Sequence, residues 1–182
     1  MMVATPQTPL KTANDVFHFL PFSQKQKKVL SWWVPGSPFY DYDGIIADGA
    51  IRSGKTVSME TSFLLWAMNT YGGQSFALCG KTIGSLRRNV LRDFKKIATS
   101  RGYEVTEKRS EKLIIISGKG VTNSFYYFGG RDESSQDLIQ GMTLAGVLFD
   151  EVALMPESFV NQATGRCSVE GSKFWLRSSH AA

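Results

Sequence analysis

The chain has 182 residues, 42% of them hydrophobic and 20% charged, which suits one globular domain and leaves little room for two. Lys and Arg number 21 against 16 acids, and the net charge of +5 permits a polyanionic partner without requiring one. The opening MMVATPQTPLKTAND lacks a basic head and an apolar core, so no secretory signal is read there, and the apolar run at residues 63–68 is far too short for a membrane span. Cys79 and Cys167 stand apart without metal-ligand spacing. They are expected to be reduced, structural thiols of a cytoplasmic protein.

Residues 1–22 are polar and Pro/Thr-rich and read as an arm with little structure, leaving 23–182 for the domain. Ser23 precedes QKQKKVLSWW, a capped helix that must end before Pro35. GSPFYDYDG is turn-rich, and residues 43–47 make a short strand. Its glycine-rich exit enters a helix at Gly54, KTVSMETSFLLWAMNTYGG, which the paired glycines stop. Residues 75–78 form a second strand. In SLRRNVLRDFKKIATSRG, helical spacing puts Leu86, Val90, Phe94 and Ile97 on one face and Arg87, Arg88, Arg92, Lys95, Lys96 and Arg101 away from it.

EVTEKRSEKLIIISGKGVTNSFYYFGG holds three alternating or β-branched runs, expected to be strands in part antiparallel. Phe125, Tyr126, Tyr127 and Phe128 alternate as core positions do, more than as a base-stacking platform. Residues 144–149 make a buried strand that runs into Asp150-Glu151. A helix at 156–163 and a strand starting at Lys173 follow. Alternating strands and helices indicate an α/β domain with a largely parallel sheet.

Gly49-Ala50-Ile51-Arg52-Ser53-Gly54-Lys55-Thr56 is a complete G-x-x-x-x-G-K-[ST] P-loop between strand and helix. The glycines let backbone N–H groups wrap phosphate oxygens, and the positive end of the following helix adds to the attraction. Lys55 would neutralise the β- and γ-phosphates, and the Thr56 hydroxyl would ligate Mg2+. LAGVLFDE supplies the second half of such a site. Asp150, at the tip of an apolar strand, would reach the metal, and Glu151 would polarise the attacking water. An acid pair ending a strand is common as a solvated terminus; after a full P-loop it reads as an ATPase. The adjacent Glu151 argues against a small-molecule kinase, which has no use for a water-activating base.

PFSQKQKKVL, AIRSGKT and DLIQGMTLAGVLFDEVALMPESFVNQATGRCSVEGSKFW together resemble the amino-terminal ATPase part of phage terminase large subunits. The shared features are an upstream glutamine segment, an arginine inside the P-loop, and a Walker B region with a G-x-T-L-A-G lead-in and a later Phe-Trp strand. The resemblance implies a RecA-like P-loop NTPase of the catalytic-glutamate class, with a mainly parallel sheet flanked by helices. It implies a motor that uses ATP and Mg2+ to drive double-stranded DNA into a preformed capsid, as a homo-oligomeric ring working with a small terminase subunit and a portal protein. It assigns Gly49, Ala50, Ile51, Arg52, Ser53, Gly54, Lys55 and Thr56 to ATP, and Thr56 and Asp150 to the metal. Glu151 becomes the catalytic base and Arg52 a γ-phosphate sensor, unless Arg52 forms a salt bridge on the outer side of the loop. Gln26 becomes the adenine contact, with Gln24 a neighbouring alternative. The basic helix is a solvated face, a DNA-backbone contact or the source of an arginine finger, for which Arg87, Arg88 and Arg131 are candidates.

From Leu176 onward the family pattern is lost. The coupling segment and the acidic triad of a two-metal nuclease are absent, so no DNA cleavage is expected. The sheet is expected to be incomplete at its carboxyl-terminal side. The class places the strand that begins at Lys173 between the P-loop strand and the Walker B strand. Two other readings stand beside the packaging motor: another DNA-dependent, helicase-like ATPase, and a remnant that only binds nucleotide.

Overall fold

The computed structural model describes residues 19–49, 54–131 and 133–179. Ala50, Ile51, Arg52 and Ser53 of the P-loop, and the first eighteen residues of the expected arm, lie outside them.

The first helix, α1 (Gln24–Ser31), begins with a capping box: the Ser23 hydroxyl accepts from the Gln26 N–H at 3.3 Å, and Gln26 Oε1 accepts from the Ser23 N–H at 2.8 Å. Next come β1 (Gly44–Ala47), α2 (Lys55–Thr70) and β2 (Ser75–Gly80). The basic segment is helical as expected, but not uniformly so. It divides into α3 (Ile83–Leu86), a π-helical turn over Arg87–Leu91, and α4 (Arg92–Ser100). The strands β3 (Glu104–Lys108), β4 (Leu113–Gly118) and β5 (Val121–Gly129) follow. After them come α5 (Glu133–Gln140), β6 (Gly146–Asp150), α6 (Glu157–Gly165) and β7 (Lys173–Arg177).

All seven strands join one sheet in the order β1-β7-β6-β2-β5-β4-β3. The pairs from β1 through β5 are parallel, and the β3-β4-β5 hairpins are antiparallel. β7 therefore inserts between the P-loop strand and the strand carrying Asp150, as the resemblance implied. On one face, α1, α2 and α4 bury Trp32, Phe63, Trp66, Phe94 and Trp175 with Phe76, Phe125 and Tyr127 of the sheet. On the other, α5 and α6 cover Ala77, Cys79, Phe128, Val147 and Phe149. Cys79 and Cys167 are free thiols, the first fully buried.

The register of β7 follows from Trp175, its one fully buried residue. Trp175 is completely buried, with ring centroids 4.8 Å from Trp66, 4.9 Å from Trp32 and 5.1 Å from Phe63. A tryptophan removes roughly 150–250 Å2 from water, so at about 25 cal/mol/Å2 its burial contributes roughly 4–6 kcal/mol. Its indole N–H donates to Ser62 Oγ at 3.1 Å, and Ser62 donates to the Val29 carbonyl at 2.6 Å. One inward side chain thus ties β7 to α2 and α1. With Trp175 fixed, Arg177 falls two residues on, at the carboxyl end of the strand and on the same face.

Candidate functional site

The carboxyl ends of the parallel strands form the edge where open α/β sheets bind ligands. Parallel pairing aligns Ala47 with Arg177 and Arg177 with Asp150. The exit of the P-loop strand, the tip of β7 and the acid of β6 therefore lie in one row. The backbone closes the row, the Ser178 N–H donating to the Ala47 carbonyl at 3.0 Å.

Gly49 and Gly54 bracket the loop with φ of 142° and 76°, both in the region that favours glycine. A Cβ at Gly54 would collide with the side-chain amide of Gln26. The φ is what requires glycine there; the Gln26 amide is the end of a flexible side chain and could shift. Gly54 caps α2, and Lys55 on the first turn donates its ammonium to the Gly49 carbonyl at 2.7 Å, spanning the mouth of the loop. Thr56 follows, half-buried. A cavity of about 400 Å3 opens over Asp48, Gly49, Lys55 and Ser58, with Gln26 and Val29 on its far wall. A second, of about 180 Å3, is lined by Phe19, Leu20, Pro21, Phe22, Gln26 and Val57. Gln26 lines both; Gln24 is exposed and lines neither.

β6 is buried along its whole length and delivers Asp150, only 3% exposed, to the row. Burial pushes the Asp150 carboxyl above its ordinary range. The charge and hydrogen bond of Arg177 and a hydrogen bond from Asn89, on the π-helical turn, pull it back only in part. Glu151 turns out of the strand in the left-handed region, φ 57° and ψ 55°, a conformation that costs a non-glycine residue roughly 1–2 kcal/mol. Contacts hold it there. The Ser179 N–H donates to Glu151 Oε2 at 3.1 Å, and the Arg177 guanidinium lies 3.0 Å from Oε1.

Arg177 is the member of the site that residue patterns did not supply. Its Nε donates to Asp150 Oδ1 at 2.5 Å, one terminal nitrogen also pairs with Asp150 and with Glu151, and the other donates to Ser179 Oγ at 3.2 Å. The only signal in the chain was a basic residue ending an apolar strand, KFWLR, at the height where β6 ends in an acid.

The basic helix is less solvated than its charge run implied. Arg87 donates to the Tyr127 hydroxyl at 2.9 Å, and Lys95 pairs with Glu107 at 2.6 Å. Arg101 lies 5.0 Å from the Phe19 ring and Arg92 pairs with the neighbouring Asp93. Arg88, Arg92, Arg101 and Arg131 are exposed, so that part of the face is solvated.

A glycine-capped helix behind a P-loop strand, with a strand inserted before the acid strand, defines a P-loop NTPase of the RecA-like, catalytic-glutamate class. The model of the terminase large subunit, T4likevirus-type, N-terminal family matches residues 46–168, more than half of the chain. The chain belongs to that family. The large terminase of a thermophilic bacteriophage is 60% identical, with a TM-score of 0.85. The match covers 87% of this chain and 39% of that one, so this chain spans well under half the length of its relative. The same phage terminase in complex with ADP matches at 59% identity and a TM-score of 0.82, covering 87% of this chain and 39% of that one. The HK97 bacteriophage large terminase shares the fold at 13% identity, with a TM-score of 0.65 over 90% of this chain and 34% of its own. Among curated proteins none matches.

Proposed function

We propose that this chain binds ATP with Mg2+ and hydrolyses it, as the nucleotide-driven part of a phage motor that moves double-stranded DNA into a procapsid. One observation carries the reading: Lys55, on a glycine-capped helix, shares the carboxyl edge of a parallel sheet with the adjacent acids Asp150 and Glu151. The terminase of the thermophilic phage, in complexes with ADP and with ATP-gamma-S, supports it.

The cavity under Phe19 and Phe22 takes the adenine, with Gln26 at its edge. The Lys55 ammonium leaves the Gly49 carbonyl for the β- and γ-phosphates, and the N-terminus of α2 favours the same negative charge. Among the described residues no group of three or more His, Cys, Asp or Glu could hold a metal. Mg2+ needs only one or two protein ligands and draws the rest from phosphate and water. Thr56 and Asp150 are donors of the right kind. A bound Mg2+ would supply charge neutralisation between the terminal phosphates. Glu151, held at the strand tip, accepts the proton of the attacking water, and Arg52 senses the γ-phosphate. The ring, the small terminase subunit, the portal protein and action in the host cytoplasm belong to the same proposal. The exposed Arg88 and Arg131 stand as candidates for a finger acting on a neighbouring subunit.

Calorimetry with ATP-gamma-S tests the reading. Lys55→Ala should abolish binding, whereas Glu151→Gln should retain nucleotide and lose phosphate release by roughly a hundredfold or more, as expected of a general base. Equal binding by parent and Lys55→Ala would remove the P-loop assignment.

A further inference from the structure

Metal binding at Asp150 meets an obstacle in this fold. The Arg177 guanidinium uses all three of its nitrogens there, on Asp150, on Glu151 and on the Ser179 hydroxyl. It is well buried, at 11% exposure, against an Asp150 side chain at 3%. An arginine cannot shed its charge by deprotonation, and its planar fork matches a carboxylate better than a lysine does. Nor is the placement a side-chain accident: the strand register sets Arg177 beside Asp150 on one side and Ala47 on the other, and buried Trp175 fixes that register.

We propose that Arg177 is an internal cation that holds the acid pair in place of the metal, so that the chain in this state takes nucleotide without Mg2+ and admits Mg2+ only when the Arg177 fork withdraws. The proposal rests on the nucleotide reading above and adds a regulating residue to that site. The guanidinium closes on Asp150 Oδ1 from two nitrogens, and a divalent cation brought to the same carboxylate would meet that fixed positive charge at close range. The same fork pins Glu151, whose Oε1 lies against Arg177 and whose Oε2 accepts from the Ser179 N–H, so the carboxylate is turned to these partners and not to a water. Arg177 thus holds metal ligand and base together, and one movement at the tip of β7 frees both. Withdrawal of the fork is a two-state step whose unfavourable equilibrium lowers the apparent affinity for the metal complex by the fraction of open chains.

The test is calorimetric titration of ADP into the whole chain, in saturating Mg2+ and in EDTA, for the parent and for Arg177→Gln. Glutamine keeps a hydrogen-bond donor for Asp150 and removes the charge. The parent should bind ADP with a Kd that Mg2+ changes by less than about threefold, since few chains are open. Arg177→Gln should bind at least roughly tenfold tighter in Mg2+ than in EDTA, with its EDTA affinity below the parent's because two uncompensated carboxylates then face the phosphates. Arg177→Lys, a looser point charge, should fall between and serves if glutamine prevents folding. The same Mg2+ ratio in the parent and both variants would overturn the proposal while leaving nucleotide binding intact. Failure of every form to bind ADP in either condition would instead remove the nucleotide reading and the proposal with it.

Discussion

Glu60 lies in the second turn of α2, five residues after Lys55, and is fully buried with no hydrogen-bond partner for either carboxylate oxygen. Burial raises its affinity for a proton well above that of a free glutamate. The charges of Asp93 and Asp150 push the same way, and Arg177 and Arg92 oppose them only in part. A carboxyl with a raised folded-state pKa stabilises the fold least where it should be ionised. Its contribution is intact below the unfolded value near 4.5 and is lost as pH rises through the folded value. Replacing it by an apolar side chain of similar volume removes both unpartnered oxygens. Glu60→Met should therefore raise stability at neutral pH by about 1–3 kcal/mol, the cost of an unsatisfied buried polar group. The gap between variant and parent should open as pH rises from about 4.5, because only the parent loses stability there. Urea denaturation at several pH values measures it. A gap that does not change with pH, or a less stable variant, would mean that Glu60 has a partner in solution.

The site is held by elements that meet through Ser62. Its hydroxyl accepts from the Trp175 indole at 3.1 Å and donates to the Val29 carbonyl at 2.6 Å, joining β7, α2 and α1 behind the carboxyl edge of the sheet. Ser62→Ala leaves a buried indole N–H and a carbonyl without that partner and should cost about 1–3 kcal/mol. Trp175→Phe, which removes the indole donor, should make the second loss smaller. A double-mutant cycle by urea denaturation would then show a coupling of about 0.5–3 kcal/mol, and strict additivity would show that the three elements are not linked there. These elements also mark what the chain made legible. The P-loop strand and helix and the acid strand could be read because glycines, apolar runs and terminal acids punctuate them, whereas the insertion of β7 followed only from the class the motifs resemble. α5 could not: within ESSQDLIQ only Leu138 and Ile139 are apolar, Leu138 is 51% exposed, and no helical stripe forms. The π-helical turn was also hidden, because Val90 and Leu91 are both buried there and mimic an unbroken α pattern while Asn89 is re-aimed at Asp150. Arg177 was missed because its role depends on a partner 27 residues away, across a strand pairing.

At the scale of the whole molecule the two ends of the sheet differ. β3 closes one end with alternately exposed Glu104, Thr106 and Lys108, charges of the sort that discourage edge-to-edge pairing. β1 closes the other with GIIA, which carries no charge and pairs only with β7 among the described residues. Ile46 is 72% exposed on that strand, and the turn-rich segment leading into it exposes Tyr42, Tyr40 and Phe39. An uncharged edge beside exposed aromatics is a surface that other chains can extend or cover. The chain should therefore self-associate through β1 as concentration rises, and a charge on the strand should oppose it. Burying one isoleucine contributes about 1.5–3 kcal/mol. Ile46→Lys should accordingly weaken self-association by roughly tenfold or more, measured by sedimentation velocity across a concentration series. Glu104→Ala, on the opposite edge, tests whether the effect is local, because neutralising that residue leaves β1 untouched. If Ile46→Lys sediments like its parent at every concentration, the chain does not associate through this edge. If Glu104→Ala alone shifts the boundary, association runs through β3 and its charges are what hold it in check.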